Sequence, residues 1–246
     1  YSVTNQSSTT ANITAKALTV SGITASNKTY DSTTSATLDS SSVSYSGIVT
    51  GDTFTGSYSG LFANANVGTG KTVNITSSYS GADVNNYTVT DQSSTTADIA
   101  AKALTATASA SNKTYNGSTT AATTLTFTGL VGTETLGQTV GSTFDNKNVG
   151  SNKTVTVNSI TLADGSNGGL AANYSINAGQ TSTAHISRKV LTVSSNTASN
   201  KIYDGNSSAT VTVSLSGFIG SETLTHTNSS SFNNKNIGAG KTVTVN

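Results

Sequence analysis

The strongest constraint on this chain is that it repeats itself. The phrase "ITAKALTV" at Ile13 returns as "IAAKALTA" at Ile99 and "ISRKVLTV" at Ile186, at spacings of 86 and 87 residues. Other phrases keep the same interval. "SNKTYDS" from Ser26 returns as "SNKTYNG" from Ser111 and "SNKIYDG" from Ser199, and "FANANVGTGKTVNI" from Phe62 returns from Phe144 and Phe232. "NYTV" at Asn86 is matched by "NYSI" at Asn173, and the first residues, "YSVTNQSSTTANI", repeat "YTVTDQSSTTADI" from Tyr87. A period this long exceeds one coil of a solenoid and suits a small β-domain, so the expected organisation is a row of beads. The frame is residues 1–12 as the end of a preceding repeat, repeat 1 at 13–98, repeat 2 at 99–185 and repeat 3 at 186–246, which stops before its own "NYSI" strand.

The 246 residues include 33% hydrophobic and 9% charged side chains, with 23 Gly and no Pro or Cys. Roughly a third of the chain is Ser or Thr. Low hydrophobicity without high net charge or Pro argues for a folded chain. Thr, Val, Ile and Tyr favour strands, and Gly, Asn and Asp supply turns, so the expected fold is all-β with thin cores. Alternation supports this: in "KTVTV", Val155 and Val157 fall on one face and Thr154 and Thr156 on the other. Phe62, Phe144 and Phe232 then serve as core anchors. Ile13 and Leu18 are an odd number of residues apart, so one continuous strand would aim them at opposite faces, Ile13 closing one core and Leu18 with Val20 opening the next. That makes the linker short and stiff and favours an extended rod.

A formal net charge of +1 with Arg188 as the single Arg argues against a nucleic-acid or anionic-membrane partner. No apolar run approaches a membrane span, and the first residues carry no basic or hydrophobic signal region, so any targeting sequence is expected outside this segment.

Within "SNKTYDS", Lys, Tyr and Asp are all capable of proton chemistry. However, Asp31, Asn116 and Asp204 share one repeat position, and Asn does not titrate. Asp and Asn do share turn chemistry, and a following Gly in two copies reads as a hairpin turn. Asp52, Glu134 and Glu222 also recur as acids, expected in a solvated loop or paired with a lysine of the repeat. Lys28, Lys113 and Lys201, with Lys71, Lys153 and Lys241, raise the idea of a Lys–Asn isopeptide bond, against the commoner role of shielding edge strands. His185 aligns with Asn12 and Asp98 and His226 falls in a variable loop, so neither is a shared metal ligand. No calcium loop, phosphate loop or Gly-x-Ser-x-Gly elbow occurs. The sequence assigns no catalytic residue, cofactor or metal site. The sequons, such as Asn27-Lys28-Thr29, are expected by chance in this composition.

The ordered phrases "KALTV", "NKTYDS" or "NKIYDG", "NVGTGKTV" and "NYTV" resemble the YDG-type repeats of long secreted and surface-attached bacterial proteins, including haemagglutinin-like adhesins. The tripeptide is whole only at Tyr203-Asp204-Gly205, with Tyr30-Asp31-Ser32 and Tyr115-Asn116-Gly117 departing from it. The resemblance implies an extracellular structural array, a stalk or matrix component. The other reading is a carbohydrate- or protein-binding site in each repeat, near Tyr30, Tyr115 and Tyr203. For the fold of a repeat, an antiparallel immunoglobulin-like sandwich and a β-grasp-like module both suit the size. The segment reads as a window on a longer polypeptide. Alternatively it polymerises head to tail, Tyr1–Asn12 of one copy adding a strand near Val243 of another.

Overall fold

A computed structural model describes all residues 1–246. It contains strands and two short 3₁₀ turns, at Val84–Asn86 and Ala171–Asn173. Repeat 1 is built from β1 (Lys16–Ser21), β2 (Thr24–Ala25), β3 (Lys28–Thr29), β4 (Ser35–Ala36), β5 (Leu38–Asp39), β6 (Ser44–Ser46), β7 (Thr55–Phe62), β8 (Gly68–Ser80), β9 (Tyr87–Thr90) and β10 (Ser94–Ala100). They form a three-stranded sheet, β6-β1-β9, a five-stranded sheet, β3-β10-β8-β7-β4, and the small β2–β5 pair. Both larger sheets are mixed: β1 runs parallel to β9 and β3 parallel to β10. This departs from the purely antiparallel repeat expected. Repeat-end strands such as β9 return beside the start of their own repeat, and a crossover of that kind produces a parallel pair.

Repeat 2 continues with β11 (Lys102–Ala103), β12 (Thr105–Ala110), β13 (Lys113–Thr114), β14 (Thr120–Ala121), β15 (Thr123–Thr128), β16 (Leu136–Phe144), β17 (Gly150–Asp164), β18 (Tyr174–Ser175) and β19 (Thr181–Ser187). Its five-stranded sheet, β13-β19-β17-β16-β14, repeats the order seen in repeat 1, and β11 runs parallel to β18 as β1 does to β9. Repeat 3 supplies β20 (Thr192–Ala198), β21 (Val211–Ser216), β22 (Ser230–Phe232) and β23 (Val243–Val245), in two antiparallel pairs.

The compact units are out of phase with the sequence repeat. One gathers Tyr1–Thr107 with Leu125–Thr139 and Ile160–Ala178, and the other gathers Ala108–Thr124 with Val140–Ser159 and Gly179–Asn246. In the first unit, Leu18, Val20, Ile23, Phe54 and Tyr87 form one core. A second core joins Tyr30, Phe62, Val73 and Ala97 of repeat 1 to Ile99, Leu104 and Tyr174 of repeat 2. Ile99 and Leu104 therefore share a core, where one continuous strand would have separated them. The extended run is broken at Ala101, between the two residues, so the odd spacing no longer forces opposite faces. In the second unit, Ala121, Phe144, Val155, Ala184 and Ile186 form the corresponding core. The expected anchors Phe62 and Phe144 are buried, as are Val155 and Val157 on their shared face.

Candidate site at the repeat junction

The thrice-written loop is held by its lysine. Lys28 Nζ donates to Asp31 Oδ1 at 2.8 Å, to the Thr33 carbonyl at 2.8 Å and to the Ser35 carbonyl at 3.1 Å, and lies 5.6 Å from the centre of the Phe62 ring. Lys113 repeats this with Asn116 at 3.0 Å, the Ser118 and Thr120 carbonyls at 2.7 and 2.9 Å, and Phe144 at 5.2 Å. Lys201 does so with Asp204, the Asn206 carbonyl and Phe232. The aspartate or asparagine then closes a local turn, its Oδ1 accepting from the amide two residues on: Thr33 at 2.9 Å, Ser118 at 3.1 Å and Asn206 at 3.1 Å. Asp and Asn perform this equally well, which explains their exchange. The turn is not a hairpin, because the strands on either side of it, β3 and β4, sit at opposite edges of the five-stranded sheet.

The next residue has a left-handed backbone in every copy: φ is 64° at Ser32, 77° at Gly117 and 79° at Gly205. At Gly117 a second demand adds to the first, since a Cβ there would meet Ile219 Cγ2 at 2.9 Å. In the first repeat this position carries Ser32, and the residue equivalent to Ile219 is the smaller Val131.

This turn projects the tyrosine into the following repeat. Tyr30, 4% exposed, donates from its hydroxyl to Glu134 Oε1 at 2.8 Å, and Tyr174 donates to Oε2 of the same carboxylate at 2.7 Å. The two rings meet edge to face at 5.4 Å, and the Val131 amide donates to the Tyr174 hydroxyl at 2.9 Å. Asn173, also buried, reaches back to repeat 1: its Oδ1 accepts from the Val67 amide at 2.9 Å and its Nδ2 donates to Asn66 Oδ1 at 3.1 Å. Burial first, and then the hydrogen bond to Glu134, push Tyr174 up to about 12 and raise Tyr30. A phenolate beside this carboxylate would be both desolvated and repelled.

Parts of this constellation recur elsewhere, with one tyrosine on each acid. Tyr115 donates to Glu222, which raises Tyr115. In repeat 1, Tyr87 donates to Asp52 Oδ2 at 2.5 Å and accepts from the Val49 amide at 2.8 Å. Glu134 is thus a buried double acceptor, where the sequence suggested a solvated loop or a lysine partner. The signal that could have found it is the joint recurrence of three positions: the Tyr of the turn, the acid, and the Tyr of "NYTV" or "NYSI".

A family model for the YDG domain matches residues 14–97, 100–184 and 187–246. The chain belongs to the YDG domain family. No curated protein and no solved structure matches it. In the first two YDG repeats the signature tyrosine, Tyr30 or Tyr115, reaches an acid of the following repeat; in all three the Asp or Asn closes the turn, and at Gly117 the glycine also allows the close approach to Ile219.

The second lysine set lies on a different loop of each YDG repeat. Lys71 and Lys153 each donate to an asparagine, Asn64 and Asn146, at 2.7 Å, and Lys241 donates to Asn234. The carboxylate beside Lys153 is Asp145, 2.8 Å away and 47% exposed. The buried acid that an isopeptide bond requires is not in this position. His185 accepts from the Asn152 amide through Nδ1 at 3.1 Å, within a surface turn.

Proposed function

We propose that this segment is a structural array, a stalk, fibre or matrix component of a long extracellular bacterial protein, in which each repeat docks on the next. One observation carries this reading: the signature Tyr30 is spent on Glu134 and Tyr174 of the following repeat, with its ring buried between them. A side chain so enclosed serves cohesion. The alternative, a glycan stacking on the same tyrosines, lacks an open ring face at Tyr30.

Each repeat on this reading is a small β-sandwich of immunoglobulin-like size, with a β-grasp-like module as the other candidate, and the repeats are arranged as an extended rod. Its length grows with repeat number because each junction is used only once. Small-angle scattering of the dilute chain tests it. A compact globule of this length has a radius of gyration of about 18 Å. The rod requires a value well above that, and a result close to it sinks the reading.

A further inference from the structure

The signature reads Tyr30-Asp31-Ser32, Tyr115-Asn116-Gly117 and Tyr203-Asp204-Gly205 in the three repeats, so the middle copy differs from the whole tripeptide by one side-chain amide. An asparagine before a glycine carries its own chemistry. The backbone nitrogen of the following residue can attack the side-chain carbonyl carbon, and glycine has no side chain to obstruct the approach. Two such pairs occur, Asn116-Gly117 and Asn167-Gly168. Their surroundings differ.

At Asn116 the side-chain oxygen collects three donors: Lys113 Nζ at 3.0 Å, and the Ser118 amide and hydroxyl at 3.1 Å each. An ammonium and two further donors on one carbonyl oxygen draw electron density from its carbon, and they stand where the negative charge of an attacked carbonyl develops. The bond from Oδ1 to the amide two residues on also folds Cγ back toward the intervening Gly117 nitrogen, which brings nucleophile and carbonyl together. Asn116 is exposed, so water reaches it. Asn167 is held differently, its Nδ2 donating to the Thr133 carbonyl at 3.0 Å.

We propose that Asn116 is a self-modification site, at which the turn converts asparagine to aspartate and so completes the Tyr-Asp-Gly signature of repeat 2. The Gly117 nitrogen gives up its proton and bonds to Asn116 Cγ, while the side-chain nitrogen takes up a proton and leaves as ammonia, closing a five-membered imide. Water then adds to Cγ and the bond from Cγ to the Gly117 nitrogen breaks, leaving a carboxyl group on the side chain and a proton on the backbone nitrogen. One water is consumed and one ammonia released, with no oxidant or reductant.

Opening at the main-chain carbonyl would instead give isoaspartate. Lys113 and Ser118 work against that outcome, because they polarise Cγ in the imide as they do in the amide. Space works against it as well, since isoaspartate adds a backbone carbon before Gly117, where a single added Cβ would already meet Ile219 Cγ2 at 2.9 Å. Aspartate fits without rearrangement: Asp31 and Asp204 occupy the same turn with the lysine Nζ at 2.8 Å and the amide two residues on at 2.9 and 3.1 Å. The product exchanges a neutral acceptor for an ion pair.

Peptide mapping by mass spectrometry of the intact chain, kept folded at about pH 8 in heavy-oxygen water, tests this, because label is taken up only by residues that convert during the incubation. Position 116 is expected to become labelled aspartate about tenfold faster than position 167, with aspartate exceeding isoaspartate at 116. In urea the two pairs are expected to convert at like rates. Lys113→Met keeps an apolar stem beside Phe144 and is expected to remove the lead of position 116, with circular dichroism checking its fold. Ser118→Ala retains the lysine and is expected to slow position 116 by about threefold, which tests the same donors should the first variant fail to fold. A residue 116 that stays an amide while 167 converts, equal rates in the folded chain, a lead that survives Lys113→Met in a folded variant, or isoaspartate as the main product overturns the proposal.

Discussion

At Glu134 one carboxylate answers two buried hydroxyls, and no cation is needed to keep it in the core. Replacing it with alanine leaves Tyr30 and Tyr174 without acceptors, so Glu134→Ala is expected to lower the urea-unfolding free energy by about 2–4 kcal/mol, with Glu134→Gln losing less. Gly117 gives a paired test. Gly117→Ala meets both a left-handed backbone and Ile219, whereas Gly205→Ala meets the backbone alone, with nothing within 4 Å. The expected cost is about 1–2 kcal/mol at Gly205 and more at Gly117, read as unfolding midpoints. The acids of the turn differ in kind from Glu134. Burial alone would raise the Asp31 carboxyl, but Lys28 and the Thr33 amide outweigh it and hold it below 3.8, and Lys201 does the same for Asp204. Such groups add stability above their unfolded value and lose it as pH falls through the folded one. Side-chain NMR titration should find both midpoints depressed, and Asn116→Asp should create a third. At this scale the turn was legible, because Asp, Asn and a left-handed follower leave a local signature. Glu134 was not, since a single acid has the same appearance in a loop or a core, and its partners lie 40 and 104 residues away.

Strands were read from alternation, and the strong ones were found: Val73, Val155 and Val157 point inward from β8 and β17 as their spacing predicts. Connectivity was harder. The turn after β3 resembles a hairpin because local chemistry sets how a chain bends, whereas the edge to which it returns depends on packing across the whole sheet. The same holds for Ile99 and Leu104, where a single break at Ala101 cancels a parity argument spanning six residues. The element that joins repeats, β18 with its preceding 3₁₀ turn, carries the titrating group with the clearest consequence. Tyr174 is raised to about 12, so its contribution is fully present below the ordinary tyrosine value near 10. It is lost as pH climbs through the folded value. Absorbance of tyrosinate and the urea midpoint, followed together from pH 9 to 12.5, should show the first unit weakening in that window. Tyr174→Phe should make the dependence shallower, with Tyr79, Tyr58 and Tyr30, which are also raised, supplying what remains.

For the whole molecule, the sequence period and the unit of stability are different lengths of chain. A fragment of residues 13–107 contains Tyr30 but not Glu134, while 13–178 contains both. Tyr30→Phe is therefore expected to cost about 1.5 kcal/mol in the longer fragment and close to nothing in the shorter, measured by urea unfolding. Equal effects in the two would show that the hydroxyl acts within its own repeat.

Because the turn tyrosine is delivered to an acid of the same kind at successive boundaries, the coding sequence is free to recombine. Gain or loss of a stretch matching one full period, wherever its endpoints fall, restores a tyrosine opposite an acid at every seam. Gain or loss of any other length leaves one seam mismatched. An array that changes by whole periods therefore keeps this contact intact at each seam.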